Sequence, residues 1–457
     1  MTIARRHGDL VEDICGPHAN INNHSGHEFG LPGRATPLGN IASVITPPDP
    51  EGEGSTGNRL RRDKYRLRDL AGRKLPRVAV TRGDGSEATI AHRVGRCGRA
   101  VVGGAVSVVA GAGGARFLGL ETCGSVWLCP VCSAKVAEFR RGEIERLLDA
   151  HVAGRRRHLV IPSGWEMGVW EERQGPAGAV YMATFTAPHT AWSAPRPLRD
   201  AVTDAWTRLI RGAPWQRAKA RWGIVGYVRA MEVTHGKNGW HPHLHVLLLA
   251  ERAGEGEALR DWLAERWARI LARIGVCDEN KVWDAYEHGV DVIEATKVQA
   301  AGEYLAKWGC DAELAQWHTK RARGKSRSPW QLLADAADGD VEAGMLWLKF
   351  ATVFAGTRQM TMSAGLRDLY LADREMSDED VCALEHGIDP AELIKSTGET
   401  VVGTLRRGVW VRLVKAGVLA ELLDHVEAGG WPAALAFLRS RRLALEEPPW
   451  RTLNGAG

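Results

Sequence analysis

Residues Trp240–Ala250 read WHPHLHVLLLA, three alternating histidines running into a block of aliphatic side chains. Alternate residues of an extended strand share a face, so His241, His243 and His245 project together while Leu244, Val246 and Leu248 project oppositely. Upstream lies GIVGYVRAMEVTHGKNG (223–239), whose Asn238-Gly239 pair marks a hairpin turn. Cross-strand partners sum to 477 if the turn closes on Asn238-Gly239, or to 475 if it spans Gly236 to Gly239. Glu232 then lies opposite His245 or His243. Two imidazoles and a carboxylate on one sheet face suit a divalent ion with mixed nitrogen and oxygen ligands and open positions for a substrate oxygen. The plainer alternative is a row of histidines on a half-exposed sheet face. Pro242 suggests that the strand begins there, which leaves His241 at the margin of the set.

Past the next helix the chain reads GEYLAKWG (302–309). On a helix Tyr304 and Lys307 share a face, while Leu305 and Trp308 can face a core. A phenol near a metal-polarised phosphate can act as a nucleophile, and a neighbouring ammonium can stabilise the phenolate or the phosphorane charge. Without the histidine strand the pair would read as an amphipathic helix with a solvated lysine. Of the six tyrosines, Tyr304 is the one downstream of the hairpin on a helix with a cation at that spacing. Tyr286 is the next candidate.

Around these motifs the middle of the chain alternates patterns: a strand in AVYMATFTAP, a helix in PLRDAVTDAWTRLIRG, the hairpin, a helix in GEALRDWLAERWARILARIG, and a strand leading into the Tyr304 helix. This order predicts an α+β fold, an antiparallel sheet with helices packed on one face. The predicted organisation is a disordered segment over 1–58, a basic segment and cysteine module over 59–150, the sheet domain over 151–370, and a separate helical accessory region with short strands over 375–457. The basic segment NRLRRDKYRLRDLAGRKLPR carries seven arginines and two lysines against two aspartates; it reads either as a phosphate contact or as a solvated helix face.

Eight cysteines in a chain with no secretory signal pattern point away from a disulfide framework. Cys123, Cys129 and Cys132 sit in CGSVWLCPVC, and Cys97 in GRCGR lies 26 residues earlier. The C-x-x-C pair and two Cys-Gly steps resemble zinc knuckles, where glycine lets backbone N–H groups approach thiolates. A structural Zn²⁺ on these four is expected; separate core cysteines or a redox pair are the alternatives.

TFTAPHT (184–190), GWHPHLHVLLLA (239–250) and EYLAKWG (303–309) together resemble the three ordered motifs of HUH endonucleases, especially rolling-circle replication initiators of plasmids and integrative elements from Gram-positive and actinobacterial hosts. The resemblance spans roughly residues 95–370. It implies that His243 and His245, with Glu232 as the acidic ligand, hold Mg²⁺ or Mn²⁺, that Tyr304 attacks the origin strand and stays on its 5′ phosphate, and that the freed 3′ hydroxyl primes synthesis. Some relatives carry a glutamate one turn before the tyrosine. This chain has Ala300 there, leaving Glu303 or Glu294 as substitutes.

The net charge of +5 is small, so any polyanion must be held locally. The run KRARGKSR offers Lys320, Arg321, Arg323, Lys325 and Arg327 to the nicked strand, or else is a solvated loop. There is no G-x-x-x-x-G-K-[ST] segment for ATP-driven unwinding, so a host helicase is an expected partner, with single-stranded origin DNA, a DNA polymerase and a second copy of the chain. No membrane partner is expected, and the location is expected to be cytoplasmic. A cupin using Glu251 is disfavoured by the surrounding helices. A single-tyrosine transposase, a relaxase and a non-catalytic zinc-containing DNA-binding regulator are the rival readings.

Overall fold

The computed structural model describes residues 56–83, 85–161, 168–278, 281–295, 326–384 and 398–443. The strands are β1 (Val78–Thr81), β2 (Glu87–Ile90), β3 (Ala105–Gly111), β4 (Gly114–Leu118), β5 (Arg155–Val160), β6 (Val169–Gln174), β7 (Ala179–Phe185), β8 (Ile224–Gly236), β9 (Gly239–Ala250), β10 (Val290–Ala295), β11 (Ser326–Arg327), β12 (Met360–Met362) and β13 (Thr400–Arg406). Among the described residues the central antiparallel sheet has the order β10-β7-β9-β8-β11, and β12 also pairs with β8. The α+β class is as expected.

The packing of helices is not. From Val246 to Ala250 the strand β9 is apolar at every position, so both of its faces must be withdrawn from water. Helices Pro195–Leu209 and Gly256–Arg273 pack on one face, where Leu244, Val246 and Leu248 join Phe185, Trp206 and Trp267 in one core. Their buried positions, Leu198, Val202, Ala205, Trp206 and Leu209 in the first and Leu259, Leu263, Trp267 and Leu271 in the second, follow the helical stripe. On the other face Leu247, Leu249, Val228, Val180 and Met182 meet Ile144, Leu147 and Leu148 of helix Pro130–Val152, with Leu366 and Tyr370 from a short later helix. The expectation of helices on one face is therefore corrected: both faces are covered.

The expected separation of residues 375–457 also fails. Strand β13 pairs with β3, which pairs with β4, and helices Arg407–Ala416 and Leu419–Ser440 close over this three-stranded sheet with Trp410, Leu413 and Leu422 against Val106 and Val108. Residues of the predicted accessory region thus complete a sheet begun some 290 positions earlier. The basic helix Thr56–Lys74 braces the same region. Arg61 contacts Asp424 and Glu427, Arg62 contacts Asp424, and Arg66 contacts Asp338. Much of its positive charge is spent inside the molecule, which answers neither expected reading of that helix. Of the expected disordered segment 1–58, residues 1–55 lie outside the described residues.

Candidate metal centre

The hairpin takes the 475 register: Gly236 pairs with Gly239 and Glu232 with His243. Lys237 and Asn238 form the turn, and the left-handed conformation falls on Gly239 (φ 83°), while Asn238 has an ordinary negative φ. A Cβ at Gly239 would also lie 2.9 Å from the Thr190 carbonyl oxygen, so the turn is pressed against the loop after β7. The strand starts before Pro242, which pairs with Val233. It is tolerated because β7 ends opposite Leu244, so at Pro242 only β8 adds a ladder.

Glu232, His243 and His245 converge on a point. His245 Nε2 is 3.0 Å and His243 Nε2 3.4 Å from Glu232 Oε2, and the two Nε2 atoms are 3.1 Å apart. Ligands about 2.1 Å from one ion stand about 3.0–3.4 Å from each other at angles between octahedral and tetrahedral, so this donor set fits a divalent cation. The remaining ring nitrogens support that fit. His243 Nδ1 faces the His241 carbonyl oxygen at 3.2 Å, so the neutral ring donates there and presents the Nε2 lone pair to the cluster. His245 Nδ1 faces Thr184 Oγ1 at 3.1 Å. Burial alone would raise the Glu232 pKa, but hydrogen bonds and charge from His243 and His245 outweigh it and hold the carboxyl well below the usual range. Both histidines are buried, whereas Glu232 is partly open to solvent.

His241 stands on the same face outside the triad. Its ring lies 5.0 Å from that of His243 and 4.8 Å from that of His189, and burial, then those two rings, pushes its pKa down to about 4. Thr184 and His189 were not singled out by sequence reading. Both lie in TFTAPHT, and the pairing of Thr184 with His245 across β7 and β9 is the signal that a register argument would have used.

Cys97, Cys123, Cys129 and Cys132 also converge, all buried, with Sγ–Sγ separations of 3.5 Å (Cys97–Cys132) and 3.6 Å (Cys123–Cys132 and Cys97–Cys129). These are too long for a disulfide and close to the about 3.8 Å that tetrahedral Zn–S bonds of about 2.3 Å impose. Cys129 caps and Cys132 sits in the first turn of helix Pro130–Val152, whose N-terminus favours thiolates. Hydrogen bonds from the surrounding thiols hold the Cys132 pKa well below that of an ordinary thiol. Gly98 and Gly124, each following a cluster cysteine, have φ of 63° and 61°. No motif marks Arg68, buried within electrostatic reach of Cys97 and Cys129, or Cys382, whose thiol faces the Cys132 carbonyl.

Other expected site residues fare differently. Tyr304 and Lys307 lie outside the described residues, as do Lys320, Arg321, Arg323, Lys325, Ala300 and Glu303. Arg327 is engaged with Asp335 and Asp340, which weakens its expected role on phosphate. Glu294 accepts from the Gly254 N–H and aligns through Tyr181 with Leu248, about 10 Å along the strand from His245, so it does not serve the cluster. Glu251 pairs with Arg156 at the far end of β9. Tyr286 stacks on Trp283 and lies under the Arg260 guanidinium.

A family model described as replication protein matches residues 167–397. The chain is 30% identical over 290 residues to "Protein rep" of Streptomyces lividans, covering 53% of this chain and 58% of that one. It is 31% identical over 198 residues to "Neomycin resistance protein" of Streptomyces cyanogenus, covering 35% and 40%, and 27% identical over 101 residues to "Protein rep" of Streptococcus pneumoniae serotype 2, covering 21% and 30%. It spans about half the length of the first two relatives. No solved structure matches it. The matched region holds the whole Glu232–His243–His245 cluster and covers half of the sequence, and the chain belongs to the replication protein family.

Proposed function

We propose that this chain is a replication initiator of the HUH class, a metal-dependent nuclease that cuts one strand of origin DNA through Tyr304 and leaves a free 3′ hydroxyl for rolling-circle synthesis. The observation that carries the reading is the convergence of Glu232, His243 and His245, with ion-sized separations, in a member of the replication protein family. Mg²⁺ or Mn²⁺ bound there would polarise the scissile phosphate as a Lewis acid. Thr184 and the His241 carbonyl fix the two imidazoles, and the ionised Glu232 adds the negative charge that a hard cation prefers. The Tyr304 phenol forms a bond to phosphorus, the bond to the 3′ oxygen breaks, and that oxygen takes up a proton; Lys307 neutralises charge on the phenolate. The phosphotyrosine keeps the bond energy for rejoining.

Zn²⁺ on the four cysteines is structural in this reading, and the expected partners are origin DNA, a host helicase, a polymerase and a second copy of the chain. Among the described residues no helix is long and apolar enough to cross a membrane.

The test uses a single-stranded origin oligonucleotide labelled on the 5′ side of the downstream product, incubated with Mn²⁺ and denatured. The wild-type chain carries the label; Tyr304→Phe binds the oligonucleotide and carries none. Label on Tyr304→Phe at normal yield moves the nucleophile elsewhere, with Tyr286 tested next.

A further inference from the structure

Among the described residues the most exposed large hydrophobic side chain is Trp192, at 95%. Its loop is ordered rather than frayed: Ser193 N–H donates to the Thr190 carbonyl at 3.0 Å, and Thr190 N–H donates to Ser193 Oγ at 3.0 Å. The loop packs against the hairpin that carries the candidate metal centre, at its turn and at His241 beside the triad. The Thr190 carbonyl and Ala191 close on Gly239 of the hairpin turn, and the His189 ring lies 4.8 Å from that of His241, itself 5.0 Å from that of His243. An indole is thus held in water by a structured turn on the hairpin that carries the cluster, where burial elsewhere would be favourable.

The charge of that rim is one-sided. From Thr186 to Arg199 and from Val233 to Leu244 the sequence contains no aspartate or glutamate, and its cations are Arg196, Arg199 and Lys237. Arg196 and Arg199 reach the carbonyls of Thr352 and Val353, and Arg199 also meets Asp200, while Lys237 is exposed at the turn. A cationic margin beside an exposed aromatic plane has the chemistry of a single-stranded nucleic-acid track, in which phosphates follow the charge and a base stacks on the ring. A second protein surface would instead be expected to ring an exposed aromatic with further apolar area, and the neighbours Thr190, Ala191 and Ser193 supply little. We infer that Trp192 is a stacking platform for one base of single-stranded DNA, next to the Glu232–His243–His245 cluster. The inference rests on the reading that the cluster acts on such DNA.

The test measures binding of a fluorescein-labelled mixed-sequence 20-nucleotide single strand by anisotropy, without added Mg²⁺ or Mn²⁺ and with Tyr304→Phe in every chain compared, so that cleavage plays no part while bound zinc is retained. Trp192→Ala removes an exposed ring and should leave the circular dichroism spectrum unchanged. Its affinity should fall about tenfold, with Trp192→Phe close to wild type. Trp170→Ala is the control. That indole is 42% exposed on β6, in a ribbon rooted beyond the other end of the central sheet, and its loss should change affinity less than twofold. Equal affinity of Trp192→Ala and the parent overturns the subsite, as does an equal loss in the Trp170 control, absence of wild-type binding, or a Trp192→Ala effect confined to the monomer–dimer equilibrium in sedimentation. A tenfold loss, where the chain with Tyr304 intact never nicks DNA, removes the nuclease reading and leaves the subsite standing. Normal binding by Trp192→Ala, where the chain with Tyr304 intact does form the adduct, removes only the subsite.

Discussion

The molecule carries two clusters of metal-binding character, and they differ in almost every physical respect. The four cysteines are fully enclosed, supply four like ligands and lie where helices Thr56–Lys74, Pro130–Val152 and Asp378–Ala383 meet. The glutamate and two histidines supply three ligands from two adjacent strands, and Glu232 keeps one side toward solvent. A closed four-ligand set suits an ion that holds chain segments together, and an open three-ligand set suits one that must meet a substrate. On the proposed reading, one chain separates the two tasks by placing one set in a packed junction and the other on a rigid sheet.

The sharpest way to break this comparison is to damage each set in turn. Cys129→Ser with Cys132→Ser should abolish stoichiometric zinc and the cooperative unfolding transition, read by elemental analysis and circular dichroism. Purified wild-type protein without zinc would contradict the structural role. His243→Ala with His245→Ala should fold with a near-normal melting temperature and yet give no detectable cleavage. Nicking by that double variant would remove the metal mechanism.

Smaller changes sharpen the contrast. Glu232→Ala removes the one carboxylate of the triad, and Mn²⁺ affinity should fall at least about 100-fold, the upper range for loss of even an outer partner. Unchanged calorimetric affinity would reject Glu232 as a ligand. Thr184→Val leaves the ligands in place but removes the oxygen facing His245 Nδ1; a loss of about tenfold in Mn²⁺ affinity is expected, and none would show that the imidazole is held by packing alone.

The smallest effect separates scaffold from site. His151, fully buried, has Nδ1 2.8 Å from the Tyr370 hydroxyl and Nε2 3.0 Å from the Ala179 carbonyl, and burial lowers its pKa from 6.5. The unfolded chain therefore takes up a proton that the folded one refuses. Its contribution to stability is complete above about pH 6.5 and is lost as pH falls below that, by at most about 1.4 kcal/mol per unit. Urea midpoints should fall between pH 7.5 and 5.5, and the slope should shrink in His151→Phe. An unchanged slope would assign the acid sensitivity to other groups.

The two clusters were legible in the sequence for different reasons. The alternation of His243 and His245 and the register placing Glu232 beside them are local consequences of strand geometry. The cysteine set was legible from spacing and from its two glycines. The cover on both sheet faces was written in the unbroken apolar run from Val246 to Ala250, beside the alternation at the histidines that marks a single open face. The pairing of β13 with β3 could not be read, because the partners are hundreds of residues apart and neither carries a mark of the other. The basic helix misled for a related reason: Arg61 and Arg66 look the same in sequence whether they meet phosphate or Asp424 and Asp338.

The central claim is that the open triad binds the cation that cleavage requires. The direct test is an electron paramagnetic resonance titration with Mn²⁺, run beside nicking of the same origin oligonucleotide, on wild-type chain, Glu232→Ala and the His243→Ala, His245→Ala double variant. The account predicts about one Mn²⁺ site per wild-type chain, saturating over the same concentrations as cleavage, and loss of site and cleavage together in both variants. A site that survives in the double variant, or cleavage that proceeds at full rate without it, would contradict the account.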